Sequence, residues 1–246
     1  MKPIVIFLIT LLVPQLAIEA ADPPIGVISP PELKGRDGNS QAYPGSFSVH
    51  FQQRYAAADF SNLPPGGALL REIAFRADQN AGGHFSGFLS GVQITVSTLS
   101  DSALSPIFAN NKGSDAFTFI RQEETSFVAS GWNDPFQLPH FGLAFGPAAP
   151  AVGGYLYDPS KGDLFIDVTG LDITFALDSY TTSQTTSVWQ DPLHPFASTG
   201  LLKSEALPTL FAFVVPEPSP VALIAIGIAL LCKISYTQRK EFNVTL

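Results

Sequence analysis

Cysteine occurs once, at Cys232, and methionine once, as Met1. A lone thiol excludes an internal disulfide framework and any zinc or iron–sulfur site built from several cysteines. Charge is also scarce. The 13 Lys and Arg and 21 Asp and Glu make up 14% of the 246 residues, against roughly 25% in a typical soluble protein. With a net charge of −8 and a pI near 4.8, the chain lacks the cationic surface that neutralises phosphates, which argues against nucleic acid as a partner. An acidic disordered tail is excluded from the other side, because 46% hydrophobic and 11% aromatic residues suffice to bury a core. There is no internal repeat of fixed period, which argues against propellers and solenoids.

What the chain does have begins at its ends. Lys2 precedes an apolar run at residues 4–13, followed by Pro14 and small residues up to Ala20-Ala21. This is the order of a secretory signal peptide, with cleavage expected between Ala20 and Ala21. Ten apolar residues at 1.5 Å each are too few for a hydrocarbon core of about 30 Å. At the other end, Pro216-Glu217-Pro218-Ser219-Pro220 forms a stiff spacer before an uncharged run at residues 221–232. The run reaches residue 236 if the stem of Lys233 extends back to the interface, enough for one short C-terminal transmembrane helix. Lys233, Arg239 and Lys240 against Glu241 put the C-terminus in the cytoplasm, consistent with an exported body. On that side Asn243-Val244-Thr245 is a chance match to a glycosylation site.

Between the ends, residues 21–220 hold 19 acidic and 9 basic side chains. Apolar residues alternate with polar ones along this body. The sets are Phe47-Val49-Phe51, Leu70 with Ile73 to Phe75, Val92-Ile94-Val96, Phe117-Phe119, Phe141-Leu143-Phe145, Leu164-Ile166-Val168, Ile173-Phe175-Leu177 and residues 210–215. Alternation of period two predicts half-buried strands. Turn chemistry separates them at Pro64-Pro65-Gly66-Gly67, Asn80-Ala81-Gly82-Gly83, Asn110-Asn111-Lys112-Gly113, Gly153-Gly154 and Asp158-Pro159-Ser160-Lys161-Gly162. Beyond one turn at residues 55–62 no helical period appears. The expectation is an all-β fold: one antiparallel β-sandwich, jelly-roll-like, of eight to ten strands, with a barrel as the alternative. The predicted organisation is a signal peptide at 1–20, the β-sandwich ectodomain at 21–215 and a sorting segment at 216–246.

No catalytic constellation emerges, and no catalytic, cofactor-binding or metal residue is assigned. His50, His84, His140 and His194 include no pair at metal-ligand spacing, so surface or structural roles are expected. Gly82-Gly83-His84-Phe85-Ser86-Gly87 lacks the G-x-S-x-G spacing of a nucleophile elbow and reads as a flexible loop. Asp158, Asp163, Asp167 and Asp172 offer oxygen ligands of the kind calcium takes, but without the D-x-[DN]-x-[DN]-G pattern, so a structural turn is the stronger reading and calcium the one cofactor kept in view. A glycosidase pair would need Glu123 or Glu124 beside Asp115 or Asp134; adjacent strand carboxylates point to opposite faces. Trp132 and Trp189, each followed by Asp-Pro within a few residues, are weighed as sugar-stacking rings at loop entrances and as caps on the core.

Pro216-Glu217-Pro218, the apolar segment behind it and the basic residues Lys233, Arg239 and Lys240 together resemble the PEP-CTERM sorting signal of Gram-negative bacteria. The resemblance implies recognition of Pro216, Glu217 and Pro218 by exosortase, an integral-membrane protease-transpeptidase, with residues 221–236 as the membrane stop. Gln52-Gln53-Arg54-Tyr55 to Asp59-Phe60, residues 70–78, Phe108-Ala109-Asn110-Asn111 and Tyr157-Asp158-Pro159-Ser160-Lys161-Gly162-Asp163-Leu164 resemble uncharacterised PEP-CTERM ectodomains. The family implies a cell-surface or extracellular-matrix protein of a biofilm-forming cell, without catalysis. A carbohydrate-binding module acting on extracellular polysaccharide is the alternative, and a hydrolase using Asp or Glu the least supported.

Overall fold

Alternating apolar residues give strands whose two faces differ, and two such strand layers bury their apolar sides against each other. A computed structural model describes residues 23–42, 49–78, 84–100, 103–121, 124–130, 141–146, 154–173, 176–183 and 186–216. The cleavage pair Ala20 and Ala21, Trp132, Glu217, Pro218 and the apolar run at 221–236 lie outside the described residues. Among the described residues no helix is long and apolar enough to cross a membrane.

The fold is all-β and antiparallel. In chain order the strands are β1 (Ile25–Ser29), β2 (Ser40–Ala42), β3 (Val49–Tyr55), β4 (Ala68–Phe75), β5 (His84–Ser90), β6 (Gln93–Leu99), β7 (Phe117–Arg121) and β8 (Glu124–Ser130). They continue as β9 (Leu143–Phe145), β10 (Tyr155–Tyr157), β11 (Asp163–Leu171), β12 (Leu177–Thr181), β13 (Ser187–Gln190), β14 (Gly200–Lys203), β15 (Glu205–Ala206) and β16 (Thr209–Val214). A five-stranded sheet runs β1-β16-β4-β10, with β9 also on β4; a six-stranded sheet runs β14-β13-β3-β11-β6-β7. Smaller groups are β15-β12-β2 and β5-β8.

The two large sheets share one core, a β-sandwich-like arrangement. Leu164, Ile166 and Val168 of β11, Phe51 and Tyr55 of β3, and Ile94 and Val96 of β6 meet Leu70, Ile73 and Phe75 of β4 and Phe211 and Phe213 of β16 in it. Ring contacts cross between the sheets: Phe51 meets Phe75 at 5.9 Å and Tyr55 meets Phe211 at 4.8 Å, both edge to face. Tyr55 sends its hydroxyl to Thr209 Oγ1 at 2.7 Å, and burial pushes its pKa up. The spacing of Leu70 and Ile73, three apart where a regular strand needs two, has its cause in the register. Phe211 faces Ile73 and Phe213 faces Leu70 across a shift, so an extra β4 residue is accommodated there and both leucine and isoleucine turn inward. A second irregularity follows Val168 in β11, where Gly170 has φ +75. A Cβ at Gly170 would sit 2.3 Å from the Gly91 carbonyl oxygen, so the position requires glycine.

Three expectations are corrected. There are sixteen strands among the described residues rather than eight to ten, because segments of two or three residues such as β2, β10 and β15 are too brief to carry a period. The glycine-rich stretch expected to be a loop enters a strand at His84, and β5 pairs with β8 from His84–Ser130 to Ser90–Glu124. The set Ile173-Phe175-Leu177 is not one strand: β11 ends at Leu171 and β12 begins at Leu177. The turn expected at residues 55–62 is present as the 3-10 segment Ala57–Phe60, which delivers Phe60 fully buried to Tyr157, Phe211 and Phe213.

Candidate functional site

With Phe51 and Tyr55 facing the core, alternation sends His50, Gln52 and Arg54 to the outer face of the six-stranded sheet. On β11 the same rule sends Asp163, Phe165 and Asp167 outward, opposite Leu164, Ile166 and Val168. Asp167 pairs with Gln52 across the ladder, so His50 is its diagonal neighbour, within side-chain reach. His50 Nε2 lies 2.6 Å from Asp167 Oδ1, with the imidazole donating to the ionised carboxylate. Lys112 Nζ reaches Asp167 Oδ2 at 2.8 Å. Burial pushes the Asp167 carboxyl up, but the bonds from His50 and Lys112 and their charges outweigh it and hold the pKa below the ordinary carboxylate value.

A segment carrying Phe108, Asn111 and Lys112 covers this face. The Phe108 ring stacks on His50 at 3.7 Å. Gln52 donates to the Phe108 carbonyl at 3.0 Å and accepts from Asn111 Nδ2 at 2.7 Å, so both buried amides are satisfied. The backbone of Phe108 donates to Ser198, and Gly200 donates to Pro106, fastening the segment to the chain at residues 198–200. Between them lies a cleft of about 260 Å³ lined by His50, Phe108, Lys112, Asp167, Ala197 and Ser198. Lys112 also lines a neighbouring cleft of about 600 Å³ with Asn110, Ser114, Asp115 and Lys161. Asp115 accepts from the Thr98 amide at 2.8 Å and the Tyr155 hydroxyl at 2.7 Å; these bonds override burial and lower its pKa.

At the rim, Phe196 is 98% exposed and Leu193 84% exposed, in the same loop as Ala197 and Ser198. An outward aromatic ring beside a cleft with a lysine and a serine hydroxyl suits binding through stacking and hydrogen bonds. The carboxylate that orients His50 is shared with Lys112.

The residues expected from the sequence are distributed otherwise. Trp189, weighed as a stacking ring, is 4% exposed and belongs to the core: it stacks on Phe51 at 4.8 Å, and Lys203 Nζ lies 5.3 Å from its ring centre. With its faces so covered and Nε1 donating to Ser187 Oγ at 2.9 Å, it offers no platform for a sugar. Asp158, Asp163, Asp167 and Asp172 do not converge. Asp158 accepts from the amide and hydroxyl of Ser160 within its own turn, Asp163 accepts from the Ala57 amide and lies 3.6 Å from Arg54, Asp167 is held by His50 and Lys112, and Asp172 is exposed. His194 pairs with Asp191 at 2.9 Å on the surface, His84 opens β5, and His140 lies outside the described residues. Glu123 and Asp134 lie outside them too, so no glycosidase pair with Asp115 is drawn. Pro216 is exposed, two residues beyond the end of β16. No protein-family model, curated protein or solved structure matches this chain.

Proposed function

We propose that this chain is exported and sorted to the cell surface or extracellular matrix of a Gram-negative bacterium, and that its β-body, jelly-roll-like in connectivity, is a non-catalytic, matrix-associated module. The observation that carries the reading is the three-part tail: Pro216-Glu217-Pro218, the uncharged run at 221–232 and the cations Lys233, Arg239 and Lys240. Its position supports the reading, because β16 is interior to its sheet and ends at Val214, so cleavage beyond Pro216 leaves every ladder among the described residues intact. The partner on this reading is an exosortase-type membrane protease-transpeptidase, with the membrane itself engaged through the C-terminal helix before processing. Deleting residues 216–246 is expected to move the protein from the envelope and matrix fractions to the soluble fraction, read by immunoblot. An unchanged distribution overturns the sorting claim.

A second reading is favoured by the exposed Phe196 beside the Lys112 cleft: the module binds extracellular polysaccharide there. The expected result is retention of the full chain on purified matrix polysaccharide, weakened roughly thirtyfold by Phe196→Ala together with Lys112→Ala, since a stacked ring and a charged bond each contribute about 1 kcal/mol. Equal retention of wild type and variant removes this reading.

A further inference from the structure

The two clefts that share Lys112 carry charges that balance within each of them. Among the described residues, the ionisable groups lining them are His50, Lys112, Asp115, Lys161 and Asp167. Asp167 is 4% exposed, and each of its oxygens is taken, Oδ1 by His50 at 2.6 Å and Oδ2 by Lys112 at 2.8 Å. The ammonium of Lys112 is thus neutralised where it stands. In the larger cleft the other two charges are of opposite sign: Lys161 is exposed, and Asp115 is kept ionised by its bonds from Thr98 and Tyr155. With His50 uncharged, neither cleft holds a surplus cation.

An anionic sugar would have to draw Lys112 off Asp167, which takes the cation from a buried carboxylate and costs more than an exposed ion pair returns. The field outside acts in the same direction. Residues 21–220 hold 19 acidic against 9 basic side chains, so a polyanion approaches a surface of its own sign. Uncharged hydroxyls meet no such barrier. An ammonium has three N–H donors, and with one on Asp167 two remain for hydroxyl oxygens. Ser198 in the smaller cleft, and Ser100, Asn110 and Ser114 in the larger, are exposed groups that both donate and accept, as sugar hydroxyls do. Phe196 presents an apolar ring to the C–H face of a sugar, a contact that needs no charge.

On the polysaccharide reading given above, on which this rests, we infer that the ligand is an uncharged polysaccharide rather than one bearing uronate or sulfate groups. Phe196 and Lys112 hold it together with the hydroxyl- and amide-bearing side chains of both clefts. Because Lys112 lines both, a chain lying across it meets Ser198 on one side and Asn110 and Ser114 on the other. The sorting signal does not enter this choice of ligand.

The test separates purified matrix polysaccharide on an anion exchanger into a neutral and an acidic pool. Retention of the full chain on each is measured at about pH 8, above the range where imidazoles ordinarily titrate. The expected result is retention on the neutral pool that changes less than about twofold between roughly 0.05 and 0.5 M salt. Retention on the acidic pool should be at least about tenfold weaker. Asp167→Asn keeps the size of the side chain and removes its charge, which turns Lys112 into a surplus cation. This variant, its fold checked by thermal denaturation, should gain at least about fivefold on the acidic pool, and high salt should cancel the gain. Stronger retention of the wild type on the acidic pool than on the neutral one, weakened by salt, overturns the inference and leaves polysaccharide binding in place. So does a folded Asp167→Asn without the gain. If the variant unfolds, the two pools compared in the wild type decide alone. Retention on neither pool removes the polysaccharide reading itself, and this inference with it.

Discussion

Replacing Phe211 with alanine is expected to lower the stability of the β-body by about 3–5 kcal/mol, the range for deleting a fully buried aromatic ring. Phe211 lies in β16, between β1 and β4, with no solvent exposure. Its ring meets Tyr55 at 4.8 Å, Phe60 at 5.4 Å and Phe213 at 6.4 Å, joining the six-stranded sheet, the Ala57–Phe60 turn and its own strand. Loss of the ring leaves a cavity that three rigid aromatic neighbours cannot collapse to fill, which favours the upper part of the range. For a protein of this size the Tm should fall by roughly 6–20 °C in thermal denaturation. Phe117→Ala is the control: Phe117 is 37% exposed on β7, and its removal should change Tm by no more than a few degrees. Equal effects at the two positions would mean that the sheets do not pack through Phe211.

The difference between those phenylalanines marks how far the sequence reached. Phe211 alternates with Ala212 and Phe213, and that period of two was enough to assign a strand with an apolar face. Period alone also assigned β3, β6 and β11, and once the inner face of β3 is known, the outward placement of His50 follows by alternation. It could not pair His50 with Asp167, which lies 117 residues away and becomes a neighbour only through the β3–β11 register. Lys112 is harder still: it lies in a turn, and its contact depends on how residues 105–113 fold back over the sheet. Trp189 shows the opposite failure, since a following Asp-Pro places a residue near a strand end without saying which face its ring takes; the ladder opposite Phe51 turned it inward. The acids illustrate the same point. Asp158, Asp163, Asp167 and Asp172 are close in sequence and far apart in role, because a strand separates residues four apart by about 13 Å. Asp37, Asp78 and Asp178 are far apart in sequence, and three chain segments bring them together.

Replacing Arg76 with alanine is expected to cost about 3–5 kcal/mol, because it removes one partner from a buried ion pair and leaves the other behind. Arg76 is 1% exposed, and its guanidinium lies 5.4 Å from the centre of the Phe141 ring. The substitution leaves the Leu33 and Arg36 carbonyls without their donor and the Asp178 carboxylate without its guanidinium partner. Burial already raises Asp178 to about 6 against the pull of Arg76, and burial together with the Asp78 charge raises Asp37. An acid whose folded pKa exceeds its unfolded value, near 4, binds a proton on folding, so stability is greatest below pH 4 and is lost as the pH rises through the folded value. Without the guanidinium the folded pKa of Asp178 rises further, which widens that window upward. The cost of Arg76→Ala should therefore be small at pH 4 and full at pH 8, measured by urea denaturation across that range. Arg76→Met combined with Asp178→Asn should be less destabilised at pH 8 than Arg76→Ala alone, since the asparagine still accepts from the Gly38 amide while the uncompensated charge is gone. A cost for Arg76→Ala that is independent of pH would assign the residue's contribution to packing against Phe141 and to its carbonyl bonds rather than to charge.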